Sequence, residues 1–370
     1  MSEFSEYGTC SDEHHGSALT VNPGVEQPPV VDTASLQRFL SRKRKLLTLD
    51  QYVEGVLNGN RTILSQAITL VESSLPEQMQ MAQGVVERCL PHSGNSIRIG
   101  ITGVPGAGKS TFIEALGGYL TSKGHKLAVL AIDPSSERSK GSILGDKTRM
   151  EELSANPNAF IRPSPSSGSL GGVARKTRET VFLCEAAGFD VIFIETVGVG
   201  QSETAVHYMT DFFLLLQIAG AGDELQGIKR GVMEMADLIA VNKADGGNLE
   251  KAQLAQAQYQ NALRLFPKPA SGWEPKAAIC SAMNCFGIDA IWETIQQYLQ
   301  MTKNNGYFGQ RRRQQTKHWM NETIRNSLIR HFYHHPDIET LLPEYEQKIA
   351  DGRMSSFEAA RILLNRYFGY

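Results

Sequence analysis

The residues Gly103, Val104, Pro105, Gly106, Ala107, Gly108, Lys109, Ser110 and Thr111 fit the pattern G-x-x-x-x-G-K-[ST], a spacing suited to gripping a polyphosphate. Glycines let backbone N–H groups approach phosphate oxygens closely and tolerate positive φ. Lys109 supplies a point charge for the β- and γ-phosphates, and Ser110 a hydroxyl for Mg²⁺. The bland alternative is a glycine-rich turn carrying a solvated lysine. Context argues against it, because an apolar run at 97–102 precedes the loop and a helix-like run at 110–120 follows. The positive end of that helix then adds to the same anion site.

A second constellation selects the base. Asn242-Lys243-Ala244-Asp245 fits N-K-x-D, in which the Asp245 carboxylate accepts hydrogen bonds from guanine N1–H and the exocyclic amine, a paired donor edge that adenine lacks. Ser281-Ala282 fits the short S-A element whose backbone N–H reaches guanine O6. Either match alone could arise by chance. In order, each after a strand-like run and both downstream of the phosphate loop, they favour GTP over ATP.

Carboxylates for a metal come next. Glu195-Thr196-Val197-Gly198 stands where a D-x-x-G element is common: Glu195 can reach Mg²⁺ and Gly198 can offer its N–H to the γ-phosphate. Asp133 and Asp146 are further Mg²⁺ candidates beside Ser110, although an aspartate at a strand end, like Asp133, is as often a helix cap. Val199, not a water-orienting glutamine, follows Gly198, so a low intrinsic hydrolysis rate is expected.

These residues need a scaffold. Strand-like runs at 97–102, 127–132, 159–162, 191–195, 212–218, 238–242 and 277–280 alternate with helical periodicity, which implies an α/β fold with a mostly parallel, doubly wound sheet and the motifs beyond its carboxyl edge. The expected organisation is a disordered tail at 1–33, a helical region at 34–95, a P-loop domain at 96–300 and a helical arm at 301–370. Arg311-Arg312-Arg313 reads as a solvated helix start. The final run, with Phe357, Ala360, Ile362, Leu363, Leu364, Tyr367 and Phe368, is apolar on nearly all sides and must pack on this chain or a second copy.

Composition narrows the partners. A formal net charge of -2 over 370 residues gives no general pull towards nucleic acid or anionic membrane. The longest apolar stretch, near 212–221, falls short of the roughly 20 residues of a membrane span. Scattered cysteines and an acidic N-terminus without a signal-peptide layout predict a cytoplasmic protein.

Taken together the motifs resemble the MeaB/ArgK family of methylmalonyl-CoA mutase-associated GTPases. The resemblance runs from about residue 49 to the C-terminus and is carried best by E-T-V-G-V-G-Q-S-E at 195–203 and G-D-E-L-Q-G-I-K-R-G at 222–231. It implies a GTPase chaperone that gates loading of adenosylcobalamin onto the mutase, or a related B12-dependent mutase, and protects or reactivates it. It further implies Mg²⁺ held by Ser110, Asp133, Asp146 and Glu195. A signalling switch around Asp223, Gln226 and Lys229 is implied too, as are a homodimer formed through the C-terminal arm and the adenosyltransferase as a further partner. Two rival readings stay open on the residues: a nickel-inserting metallochaperone GTPase, and an ATPase or kinase associated with amino-acid transport.

Overall fold

Runs such as Phe212–Ile218 and Val191–Thr196 have no polar face, so as strands they need cover on both sides. The computed structural model describes residues 47–133, 150–165, 170–196, 202–219 and 230–370. Its seven strands are β1 (Ile97–Gly103), β2 (Leu127–Asp133), β3 (Ala159–Pro165), β4 (Val191–Thr196), β5 (Phe212–Ile218), β6 (Leu238–Asn242) and β7 (Lys276–Ile279). They form one sheet in the order β3-β2-β4-β1-β5-β6-β7, and every pairing within it is parallel. Successive crossovers run to opposite sides of β1, so a crevice opens at its carboxyl end.

Among the described residues, α1 (Leu49–Leu57), α2 (Arg61–Glu72) and α3 (Pro76–Cys89) precede the sheet. Thr48 and Gln51 close a capping box on α1, and Asn60 caps α2, meeting N–H groups that a helix start otherwise leaves bare. Their apolar stripes, among them Val56, Leu64, Ile68 and Val85, are buried. The charged residues Glu72 and Arg162 form an ion pair that ties α2 to β3.

Side chains alternate across the strands and build two cores. On one face α4 (Lys109–Ser122) and the short α5 (Glu151–Ala155) bring Phe112, Leu116 and Leu153 against Ile99, Ile101, Phe193 and Leu214. The other face carries α6 (Leu170–Ala186), α7 (Ser202–His207), α8 (Arg230–Glu234) and α9 (Leu249–Leu263), with Leu215, Ile239 and Val241 packed on Ala252 and Tyr259. A further helix, α10 (Ile288–Asn304), returns to the first face through Ile291, Ile295 and Tyr298.

The arm follows as α11 (Tyr307–Tyr333), α12 (Pro336–Ala350) and α13 (Ser356–Phe368). Of the expected solvated helix start Arg311-Arg312-Arg313, only Arg313 is exposed. Arg311 is buried, its guanidinium 3.8 Å from Asp237 and donating to the Tyr298 hydroxyl at 3.1 Å. Arg312 pairs with Asp211 at 2.7 Å. Both carboxylates lie just before β5 and β6, at the amino edge of the sheet. In α13, only Ala359 and Leu363 are buried, while Phe357 is 86% exposed and Phe368 62%. Among the described residues no helix is long and apolar enough to cross a membrane.

Candidate functional site

The phosphate-loop residues surround the carboxyl end of β1, between β4 and β5. Gly103 ends β1, 104–108 form the loop, and Lys109, Ser110 and Thr111 open α4. Two glycines are dictated by space and backbone. A Cβ at Gly103 would stand 2.4 Å from the Leu216 carbonyl oxygen; at Gly108, where φ is +82°, it would stand 2.9 Å from Asn242 Nδ2. The Lys109 ammonium folds into the loop and donates to the carbonyls of Gly103 (2.9 Å) and Val104 (3.3 Å). Burial pushes its pKa below the ordinary lysine value, and the negative charges of Glu195 and Glu203 pull it partly back. A half-buried cation leaning on two neutral carbonyls is poised for a stronger anionic partner.

The base-reading motifs converge on the same loop. Parallel pairing sets Ile218 opposite Asn242 and Val241 opposite Ile279, so the segments after β6 and β7 meet beside the loop after β1. Asn242, 2% exposed, is the joint. Its amide donates to the Ala107 carbonyl at 2.8 Å, and its Oδ1 accepts from the Ala282 N–H at 3.0 Å. The sequence reading assigned Asn242 to the base; here its side chain locks the phosphate loop to the base loop. The Ala282 N–H is thus engaged, and a base reaching it would share it with Asn242. Asp245 is half-buried, with its carboxylate oriented by the Ser281 hydroxyl at 2.5 Å. Lys243 takes a positive φ of 61°, and its stem passes over Gly108. The four residues thus make a shaped edge: one carboxylate facing outward, one aliphatic shelf, and a rigid link to the phosphates.

The metal candidates divide. Glu195 is the penultimate residue of β4, buried and close enough for its charge to act on Lys109, and Ser110 lies in the first turn of α4. Both offer hard oxygen donors, the set that Mg²⁺ takes alongside phosphate oxygens and water. Asp133 closes β2, on the same edge of the sheet; its side chain lies outside the described residues, as do Asp146, Gly198, Val199 and the switch residues Asp223, Gln226 and Lys229. Among the described residues no group of three or more His, Cys, Asp or Glu is assembled as a metal site.

Three contributors escaped the sequence reading. Glu203, 4% exposed, places a second negative charge near Lys109; only its place in E-T-V-G-V-G-Q-S-E hinted at it. The buried hydroxyls of Thr196 and Thr102 bond at 2.7 Å, fastening β4 to β1 where Glu195 emerges. Cys280 lies beneath the base loop, its sulfur 3.6 Å from Asn242 Oδ1, and burial pushes its thiol up to about 12. No spacing rule signals such contacts, since they depend on which strands become neighbours.

Comparison with known proteins agrees with this geometry. The family described as methylmalonyl-CoA mutase-associated GTPase MeaB matches residues 64–337. A probable GTPase of Mycobacterium tuberculosis is 49% identical over 317 residues, covering 86% of this chain and 94% of that protein. The mitochondrial methylmalonic aciduria type A homolog of Mus musculus is 46% identical over 329 residues, 86% of this chain and 79% of that protein. The GTPase ArgK of Escherichia coli is 46% identical over 292 residues, 79% of this chain and 88% of that protein. Among solved structures, one titled as an LAO/AO transport system kinase superposes with a TM-score of 0.71 at 36% identity, covering 88% of this chain and all of that one. The chain therefore belongs to the family of methylmalonyl-CoA mutase-associated GTPases, and it is a GTPase with a P-loop fold.

Proposed function

We propose that the protein couples GTP binding and hydrolysis to cofactor loading on an adenosylcobalamin-dependent mutase, methylmalonyl-CoA mutase or a close relative. The observation that carries the nucleotide half of this reading is the Asn242 joint, which ties phosphate grip and base recognition together; the client half rests on the family. In that site the loop N–H groups and Lys109 hold the phosphates, while Asp245, with Lys243 and Ser281-Ala282, reads guanine. Mg²⁺ would be held by Ser110 and Glu195 with Asp133 and Asp146, supplying charge neutralisation between the β- and γ-phosphates. Lys109 leaves its two carbonyl partners for phosphate oxygen, a gain because the phosphate acceptor is itself charged and adds ion-pair attraction to the hydrogen bond.

Hydrolysis by the protein alone is slow in this reading, since Val199 cannot orient water, and a docked client supplies what is missing. The segment with Asp223, Gln226 and Lys229 carries the signal. The arm pairs with a second copy, which covers Met320, Ile324 and Leu328 on α11 and Phe357 and Phe368 on α13, all left exposed in one chain. The family description names methylmalonyl-CoA mutase and the mouse relative is named for methylmalonic aciduria, which supports the mutase as client. The test measures GTP hydrolysis and adenosylcobalamin transfer with and without purified methylmalonyl-CoA mutase. Stimulated hydrolysis and nucleotide-dependent transfer are expected; no change in either on adding the mutase overturns the assignment.

A further inference from the structure

At the amino edge of the sheet, far along the strands from the phosphate loop, a cavity of about 130 Å³ opens between α6 and α11. Three arginines line it: Arg98, Arg178 and Arg312. Two are neutralised. Arg98 makes a bidentate pair with Glu185 at 2.8 and 2.9 Å, and Arg312 one with Asp211 at 2.9 and 2.7 Å. The third is not. Among the described residues Arg178 has neither a hydrogen bond nor an ion pair; its guanidinium meets only the rings of Phe182 at 5.3 Å and Trp319 at 5.9 Å. The neighbouring carboxylate of Glu179 lies 3.7 Å from Arg175 and is shared, its charge acting on both arginines.

The charge count is one anion short. Burial, reinforced by the nearby positive charge of Arg98, pushes the Arg178 guanidinium down to about 10, the response of a cation held against its preference. Gln315 on the same wall is committed to the fold, donating to the Thr210 carbonyl at 2.7 Å. The cavity therefore presents one fork-shaped cation and aromatic walls from Phe182, Tyr208 and Trp319.

We propose that this cavity binds a small carboxylic acid, its carboxylate on Arg178 and its apolar body among Phe182, Tyr208 and Trp319. A planar carboxylate matches the guanidinium fork and brings the single charge required. A phosphate monoester carries nearly two charges and would leave one unmatched beside apolar rings. Because one wall is α6, on the GTPase sheet, and the other is α11, the root of the arm, occupancy stiffens the junction through which the two communicate.

The experiment titrates full-length protein with mandelate, which has carboxylate and ring, and with benzyl alcohol, which lacks the charge, following heat and tryptophan emission from Trp319. Saturable mandelate binding, weakened by about ten- to a hundredfold in R178Q, is expected, with no saturation by benzyl alcohol and unchanged GTP affinity. If R178Q melts at a lower temperature, Thr316→Phe at the exposed rim closes the mouth instead and must abolish binding. Failure of the wild type to bind mandelate, or equal binding by R178Q or Thr316→Phe, overturns the proposal. Neither outcome bears on the nucleotide site.

Discussion

The two edges of the sheet use the same kind of residue to opposite ends. At the carboxyl edge Lys109 rests on neutral carbonyls, its charge only partly offset by Glu195 and Glu203. At the amino edge Arg311 and Arg312 face Asp237 and Asp211, carboxylates buried within the same fold. One edge keeps its cation for a ligand. The other spends its cations on fixing a helix. A basic residue thus signals binding where its partner must come from outside, and architecture where the partner is already supplied.

If that contrast is right, removing each cation has a different signature. Lys109→Ala should lower GTP hydrolysis by about a hundredfold or more, the scale for deleting a charge-stabilising donor. Its melting temperature should hold or rise, because burial works against the charged amine. Arg312→Ala should do the reverse, destabilising the fold by about 3–5 kcal/mol by leaving the buried Asp211 carboxylate without its ion-pair partner, with the Arg98 backbone N–H remaining on it; urea titration measures this, and a loss below about 1 kcal/mol would break the comparison.

The amino edge should also be acid-labile. Burial alone would raise the Asp211 carboxyl, but the hydrogen bonds and charge of Arg312, with Arg98, hold it below the usual range. Its stabilising contribution is present above the ordinary carboxylate value and is lost as pH falls through the lowered one. Half-buried His207 is pushed down from 6.5 to about 3 by burial and by the charge of Arg311. Between those values the unfolded chain binds a proton that the folded chain does not, so stability falls as pH falls across that window. A melting-temperature series from neutral to acid should show a decline beginning near the upper limit, and His207→Gln should flatten its first part. An unchanged profile would count against a buried neutral imidazole.

This asymmetry also explains what the sequence could tell. The strands were legible because both sheet faces are covered, so apolar runs such as Phe212–Ile218 are unbroken. The phosphate and base motifs were legible because backbone space at Gly103 and Gly108 permits so few alternatives. Arg311 and Arg312 misled, because adjacent cations read as surface until the starts of β6 and β5 bring in Asp237 and Asp211, 74 and 101 positions earlier in the chain. For the same reason the double engagement of Asn242 could not be read: Ala107 and Ala282 become its neighbours only once β6 lies between β5 and β7.

The central claim is that Asp245 turns this edge into a guanine-specific site, and one exchange tests it directly. In xanthine an oxygen acceptor replaces the exocyclic amine of guanine, so Asp245→Asn, which swaps a carboxylate oxygen for an N–H donor, should invert the preference. Calorimetric titration with Mg²⁺ should show the wild type binding GTP far more tightly than ATP or XTP. Asp245→Asn should lose about 1.5–3 kcal/mol towards GTP and gain affinity for XTP. Equal wild-type affinity for GTP and ATP, or an Asp245→Asn variant that still prefers GTP to XTP, would contradict it.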